Sequence, residues 1–347
     1  TLSGGEKQRL AIAAALAMAG KILILDEPLS RLDPEGAEEL LRVIKDVRKK
    51  RTLTVIMAAH ESKKVLRFAD RICVLKNGRI AACDTPQKIF EDRALPESNG
   101  IQPPVEPDIS AFFVPQEREM KTEENAAINI SDFSYFYANS NISSVKINLS
   151  IADNDFAAII GRNGCGKTTL LKNIAGLLRP STGAIYIRGK NSDGLSISAI
   201  SKEVGFVMQN PDSQLFTGTV YDEVSFALKN YRLPKEEIRR RTEAALRTVG
   251  LENWDAFPHA MNRGDRTKTV IASVLAMGCR IILLDEPDVG QDYRGSREIM
   301  EILRKLRTEG NTLVFVTHNI SLACEYAQRL IIMDKSGIVN MRRRSAV

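Results

Sequence analysis

Nothing in this chain of 347 residues reads as a membrane span: no uninterrupted apolar run reaches about 18 residues. The longest, Leu10 to Ala19, is alanine-rich, gives way to Gly20-Lys21 and reads as a packed helix. No secretory leader is expected, because Thr1 opens directly into a motif. Cysteine is scarce. The five, Cys73, Cys83, Cys165, Cys279 and Cys324, form no CxxC pair. Reduced thiols in a cytosolic setting are the expectation. There is no large excess of either charge sign: the net charge is +6. That permits an anionic neighbour without demanding one, and the basic Arg342-Arg343-Arg344 is expected to be a solvated tail. What is present is ordinary for a globular protein, with 44% apolar and 27% charged residues. The length suggests about two domains.

One stretch organises the rest. Gly161-Arg162-Asn163-Gly164-Cys165-Gly166-Lys167-Thr168-Thr169 fits GxxxxGK[ST], a phosphate-binding loop. Before it, Phe156 to Ile160 reads as a buried strand; after it, Leu170 to Ala175 reads as a helix. Glycines let the backbone turn tightly so that successive N–H groups converge on phosphate oxygens. The positive end of the following helix adds to the field. Lys167 then suits the β- and γ-phosphates, and the Thr168 hydroxyl suits Mg²⁺. Cys165 reads as a small residue tolerated between glycines.

In chain order, Leu2-Ser3-Gly4-Gly5-Glu6 opens a helix, with Ser3 and Glu6 at capping-box spacing. Ile22-Leu23-Ile24-Leu25-Asp26-Glu27-Pro28 is an all-apolar strand ending in two acids, of the kind usually central and parallel. Asp33-Pro34 caps a helix with Leu40, Val43, Ile44 and Val47 on one face. Val55-Ile56-Met57 is a further buried strand, leading to His60. The order recurs. Ile281 to Pro287 repeats the acidic strand, with Asp285 lying 259 residues after Asp26. Met261-Asn262-Arg263-Gly264-Asp265 matches Leu2 to Glu6, and His318 matches His60. The chain therefore carries two copies of one unit.

The copies are unequal. By the same offset the first copy's phosphate loop is expected to fall before Thr1, so the first copy is headless as given. A partial sequence is the expectation, with natural truncation as the alternative. Pro103 to Asn125, rich in Pro, Glu and Lys, reads as a linker, and the second copy begins near Ile128. The boundaries are 1–104 for the C-terminal part of the first copy, 105–127 for the linker and 128–347 for the complete second copy.

In this order, LSGGE, two LDEP strands and GRNGCGKTT resemble the ATP-binding subunit of an ABC transporter, in tandem form. The implied fold is α/β, a P-loop NTPase of ABC ATPase type with a helical subdomain. Val207 to Phe216, followed by Thr219 to Val224, is similar to the Q-loop region of energy-coupling factor (ECF) transporter ATPases, which power uptake of vitamins or of cobalt and nickel. Asp84 to Phe90 and Leu95 to Pro104 are similar to the same group.

The resemblance implies a mechanism. Two units clamp ATP, the phosphate loop coming from one and the signature from the other. The second copy's loop, Gly161 to Thr169, is expected to work with Ser3, Gly4, Gly5 and Glu6 of the first. Tyr135 is expected to stack on adenine. Thr168 and Asp285 hold Mg²⁺. Gln209 touches the metal or the attacking water. Glu286 orients or deprotonates that water, and His318 contacts the γ-phosphate. Two acids in sequence point to opposite sides if the strand continues, so one serves metal and the other water. Such chemistry needs positioning and charge neutralisation more than covalent help. The reciprocal site, built on Asp26, Glu27 and His60, looks poor, because Arg263 stands where the first copy has Gly4.

The resemblance further implies a membrane scaffold protein, a substrate-binding membrane protein and a second ATPase half as partners, with the chain peripheral on the cytoplasmic face of the membrane. Nucleic acid is not expected. The competing class is a soluble tandem ABC ATPase acting on ribosomes or nucleic acid; the short linker and the absence of a cysteine cluster weigh against it. A third reading makes the chain inactive alone, with part of the first copy's apolar sheet exposed. Gln214 is expected to border the groove for the membrane partner. Asp33 and Asp292 are similar to the family's inter-unit loop aspartates, although Gly290-Gln291 departs from the usual pattern. His259 is expected to be structural, and Trp254 to pack in the helical subdomain.

Overall fold

The computed structural model describes residues 4–18, 20–29, 32, 34–50, 52–59, 66–91, 99–101, 109, 113–115, 126–136 and 146–344. Ser3, Asp33, His60 and most of the 95–125 stretch lie outside the described residues; Gly4, Gly5 and Glu6 are described as backbone only. The chain forms two compact units. The first comprises Thr1–Glu106 with Val289–Ser296, the second Pro107–Asp288 with Arg297–Val347.

The first unit contains α1 (Gly4–Ala17), β1 (Ile22–Asp26), α2 (Pro34–Lys50), β2 (Thr54–Ala58), the hairpin β3 (Ile72–Lys76) and β4 (Arg79–Asp84), and the short α3 (Pro86–Glu91). Its core gathers Ile12, Leu23, Leu25, Leu29, Leu40 and Ile44. The apolar run of β1 led to the expectation of a central strand. Among the described residues it instead pairs with β2 alone, in parallel. Alternate side chains are therefore uncovered: Ile22 is 62% exposed, Ile24 73% and Ile56 55%. Val43 is exposed as well, because only the Leu40–Ile44 side of α2 meets the core. The hairpin register sets Cys73 opposite Cys83, with Cα atoms 4.2 Å apart and the two sulfurs disulfide-bonded. This corrects the expectation of reduced thiols for these two; ten residues of separation hid a cross-strand pairing that the hairpin creates. Cys165, Cys279 and Cys324 are free thiols.

The second unit holds two sheets. One is antiparallel and includes β6 (Ala126–Ser134), β7 (Ile147–Ala152), β9 (Thr182–Ile187) and β10 (Lys190–Asn191), in the order β10-β9-β6-β7. The other has seven strands in the order β11-β12-β13-β8-β14-β15-β5. Its strands are β5 (Phe113–Pro115), β8 (Phe156–Gly161), β11 (Val204–Val207), β12 (Ile281–Asp285), β13 (Thr312–Val316), β14 (Arg329–Asp334) and β15 (Gly337–Arg344). The pairs from β11 to β14 are parallel. Every residue of β12 and β13 is buried, as expected of parallel strands covered on both faces.

Helices complete the unit: α4 (Lys167–Ile174), α5 (Ile197–Ile200), α6 (Val220–Asn230), α7 (Lys235–Thr248), α8 (Arg263–Met277) and α10 (Ile320–Tyr326), with α9 (Tyr293–Thr308) starting in the other unit's segment. One apolar core joins the two sheets, with Ile128, Ile151, Ile159, Leu170, Ile185 and Val316 inside. The other joins the parallel sheet to α6–α8, through Val224, Leu246, Ile271 and Leu284. Trp254 packs against this second core and donates from Nε1 to Leu251 O at 2.7 Å, as expected of a subdomain packing residue.

Local detail repeats between the units. Glu27 N donates to Ala58 O and Glu286 N to Val316 O, both at 3.0 Å. Glu27 and Glu286 share a positive φ, 45° and 49°. The order helix, acidic strand, helix and strand occurs in both; a hairpin follows in each, after α10 in the second.

Candidate functional site

The phosphate-loop sequence sits between the end of β8 and the start of α4. The helix begins at Lys167, earlier than the apolar run at Leu170 suggested. Gly166 is its N-cap at φ 99°, and no side chain caps the first turn. Any residue with a Cβ is disfavoured at that angle. Gly161 needs the smallest side chain for a different reason: a Cβ there would run into the Met333 carbonyl. With glycine at the cap, no side chain from that position competes for the first-turn amides, which suits an anion. Lys167 is buried and donates from Nζ to the carbonyls of Gly161 at 2.8 Å and Arg162 at 3.0 Å. These bonds hold the ammonium over its own loop. Cys165 is partly buried, and burial raises its thiol pKa, which keeps it protonated and unreactive.

Thr168 and Asp285 meet. The Thr168 hydroxyl donates to Asp285 Oδ1 at 3.0 Å. Burial pushes the Asp285 carboxyl up to about 6, against the pull of that hydroxyl. A hydroxyl and a carboxylate beside an amide-lined loop suit Mg²⁺, which takes few protein oxygens and several from phosphate and water. Among the described residues, no group of three or more His, Cys, Asp and Glu is placed to hold a metal. This site can therefore hold magnesium but does not have the donors of a dedicated protein cage.

The strand was expected to continue through both acids and send them to opposite sides. It ends at Asp285, and Glu286 turns left-handed instead. That turn brings Glu286 to two partners. Gln209 Nε2 donates to Glu286 Oε2 at 2.5 Å. His318 Nε2 lies 3.0 Å from Glu286 Oε1. Two sequence-predicted residues, from beyond the ends of β11 and β13, thus converge on the carboxylate of a third at the end of β12. Tyr135 follows β6 and packs, partly buried, against the core that also meets Cys165.

Gln214, partly exposed, accepts from Met208 N at 2.7 Å and donates to Phe206 O at 2.9 Å, and so stitches the loop to β11. His259 is structural as expected, with Nε2 at 3.1 Å from Leu215 O. Two features escaped the sequence reading. Asp288, which follows Pro287, accepts from the Thr317 hydroxyl at 2.9 Å, and burial pushes it up to about 6. Arg263 Nη2 donates to Gln209 O at 2.7 Å.

A glycine loop at the N-terminus of a helix, an acidic strand end and an α/β sheet flanked by a helical subdomain define a P-loop NTPase of the ABC ATPase type. The ABC transporter family model matches residues 1–30 and 145–289, and the chain belongs to that family. An ABC transporter ATP-binding protein of Methanosarcina acetivorans is 35% identical over 97% of this chain and 62% of its own length. Another, from Caldanaerobacter subterraneus, is 32% identical over 98% of this chain and 66% of its length. The chain thus spans a little under two thirds of these relatives. Among solved structures, CbiO1 of Clostridium perfringens, part of the CbiONQ transporter complex, is 33% identical with a TM-score of 0.59, covering 63% of this chain and 89% of that one. A dimeric ATP-binding cassette in a post-hydrolysis state with ADP and phosphate is 26% identical with a TM-score of 0.57, covering 63% of this chain and all of that one. Among the described residues, no helix is long and apolar enough to cross a membrane.

Proposed function

We propose that this chain binds and hydrolyses ATP to energise an ECF-type importer of vitamins or transition-metal ions. The observation that carries the ATPase reading is the convergence of Gln209 and His318 on Glu286, in the same unit as the Thr168–Asp285 pair. Glu286 is the group to orient and deprotonate the attacking water. Gln209 and His318 fix the carboxylate's direction, and His318 supplies a donor for the γ-phosphate. Lys167 and the amides of Gly161, Arg162, Asn163, Gly164, Cys165, Gly166 and Thr169 bind phosphate, and Tyr135 stacks on the base. Bound magnesium, held by Thr168, Asp285 and Gln209, would neutralise phosphate charge as the bond to the leaving group stretches. Ser3, Gly4, Gly5 and Glu6 cap the γ-phosphate in the two-cassette clamp.

The ECF assignment is supported by the likeness to CbiO1 and by the Val207–Phe216 and Thr219–Val224 sequences. The tandem reading, with 1–104, 105–127 and 128–347 as part-cassette, linker and cassette, is supported by the recurring element order and the matched Glu27 and Glu286 turns. On this reading the chain lies at the cytoplasmic face of a membrane, bound to a scaffold protein and a substrate-binding membrane protein.

The test uses the full-length protein, purified with whatever it holds in mild detergent. Glu286→Gln should trap ATP while turnover falls by about 10²-fold or more. Wild-type turnover in that variant overturns the catalytic assignment. Recovery of ribosomes, in place of a membrane scaffold and a small membrane protein, overturns the transport assignment.

A further inference from the structure

We infer that Arg263 is a positioning residue for Gln209: the signature-like turn of the second repeat clamps its own Gln209 loop. The inference rests on the ATPase reading above and deepens it.

Arg263 opens α8 behind the cap Asn262, whose side chain accepts from Asp265 N at 2.9 Å. At the matching place the first repeat has Gly4, a residue suited to close backbone approach. A guanidinium there loses that use, and the structure gives it another. Its Nη2 donates to Gln209 O at 2.7 Å. One turn along α8, Arg266 Nη1 donates to Asp212 Oδ1 at 2.6 Å. Just before the helix, His259 Nε2 meets Leu215 O at 3.1 Å. Residues 259 to 266 therefore grip the 209–215 segment at three points.

Gln209 is consequently held at both ends. Arg263 fixes its carbonyl, and its side-chain amide reaches Glu286, which in turn faces His318. A contiguous run of contacts thus links the first turn of α8 to the carboxylate that activates water. A charge-assisted bond to a carbonyl is stronger than a neutral one. Glycine offers no side-chain donor, and lysine offers a point charge on a flexible stem in place of a planar fork. The arginine thereby sets where Gln209 points.

The test is steady-state ATPase activity of the full-length protein and its variants Arg263→Met, Arg263→Lys, Gln209→Ala and the double Arg263→Met/Gln209→Ala. Arg263→Met should lower kcat about tenfold, with KM for ATP unchanged within about twofold. Arg263→Lys should recover part of the loss. In the Gln209→Ala background, Arg263→Met should change kcat by less than about twofold, because the side chain it aims is gone. Wild-type kcat in Arg263→Met overturns the inference, as does an equal loss in both backgrounds. If Arg263→Met melts early, the decision passes to Arg263→Lys, measured against wild type and within Gln209→Ala, under the same rule. Glu286→Gln separates the two levels: an active Glu286→Gln overturns the ATPase reading, whereas an inactive Glu286→Gln beside a wild-type-like Arg263→Met overturns only this inference.

Discussion

The Thr317 hydroxyl donates to Asp288 Oδ2 at 2.9 Å, and Thr317 Oγ1 also accepts from Asn319 N at 2.9 Å. Between them in the chain stands His318, which faces Glu286. Asp288 thus anchors the turn that presents the histidine. Its Oδ1 is sealed from solvent, although the residue as a whole is only partly buried.

That burial has a pH signature. The Asp288 carboxyl is pushed from an ordinary value of 3.8 up to about 6, chiefly by desolvation. A raised folded-state value means that the native protein binds the proton more tightly than the unfolded chain. The associated stability is present below about pH 4 and is lost as pH rises through about 6. Asp288→Asn keeps an acceptor for Thr317 without the buried charge. It should raise stability at pH 7.5 by on the order of 2 kcal/mol, a gain that fades toward pH 4. Melting curves of both proteins from pH 4 to 8 check this.

Thr168→Val keeps the side chain's shape and removes its hydroxyl. The Thr168–Asp285 bond at 3.0 Å disappears. The concentration of Mg²⁺ needed for half-maximal ATPase activity should rise about tenfold or more, while nucleotide binding in EDTA changes little. Titrating Mg²⁺ at fixed ATP decides it; an unchanged requirement removes Thr168 from the metal site.

Arg329 Nε lies 3.0 Å from Asp155 Oδ2, with both side chains almost fully buried. Arg329 also donates to Ser150 O at 2.6 Å, tying β14 to β7. Removing one partner leaves a buried charge without its counter-ion. Asp155→Ala should cost about 3 kcal/mol or more, and the double change Asp155→Leu/Arg329→Met should recover most of it. Chemical denaturation of the three proteins measures both numbers.

Lys167→Ala removes the buried ammonium that bridges Gly161 O and Arg162 O. ATP affinity should fall by about tenfold or more, with adenosine affinity unchanged, since the lost charge serves phosphate alone. Equal loss for both ligands would mean that the loop itself has collapsed.

Much of this was legible in the residues. The phosphate loop, the acidic strands and the recurring order of elements are written in local spacing and apolar runs, and local rules dictate them. The wholly buried β12 follows directly from that text. Other features required the folded chain. β1 and β12 read almost alike, yet only β12 is covered on both faces, because burial depends on neighbouring strands and not on the strand's own letters. Cys73 and Cys83 pair through a hairpin register.

The sequence alone determined that a nucleotide-phosphate loop precedes an acidic strand, and that a similar acidic strand occurs earlier. Only the tertiary structure decided that Glu286 leaves its strand to meet Gln209 and His318, that Gln214 ties its loop to β11, and that Arg263 grips Gln209. The physical reason is reach. Backbone preference acts over a few residues, whereas the Arg263–Gln209 and Gln209–Glu286 contacts join groups 54 and 77 residues apart in the chain, and only packing brings them within hydrogen-bonding distance.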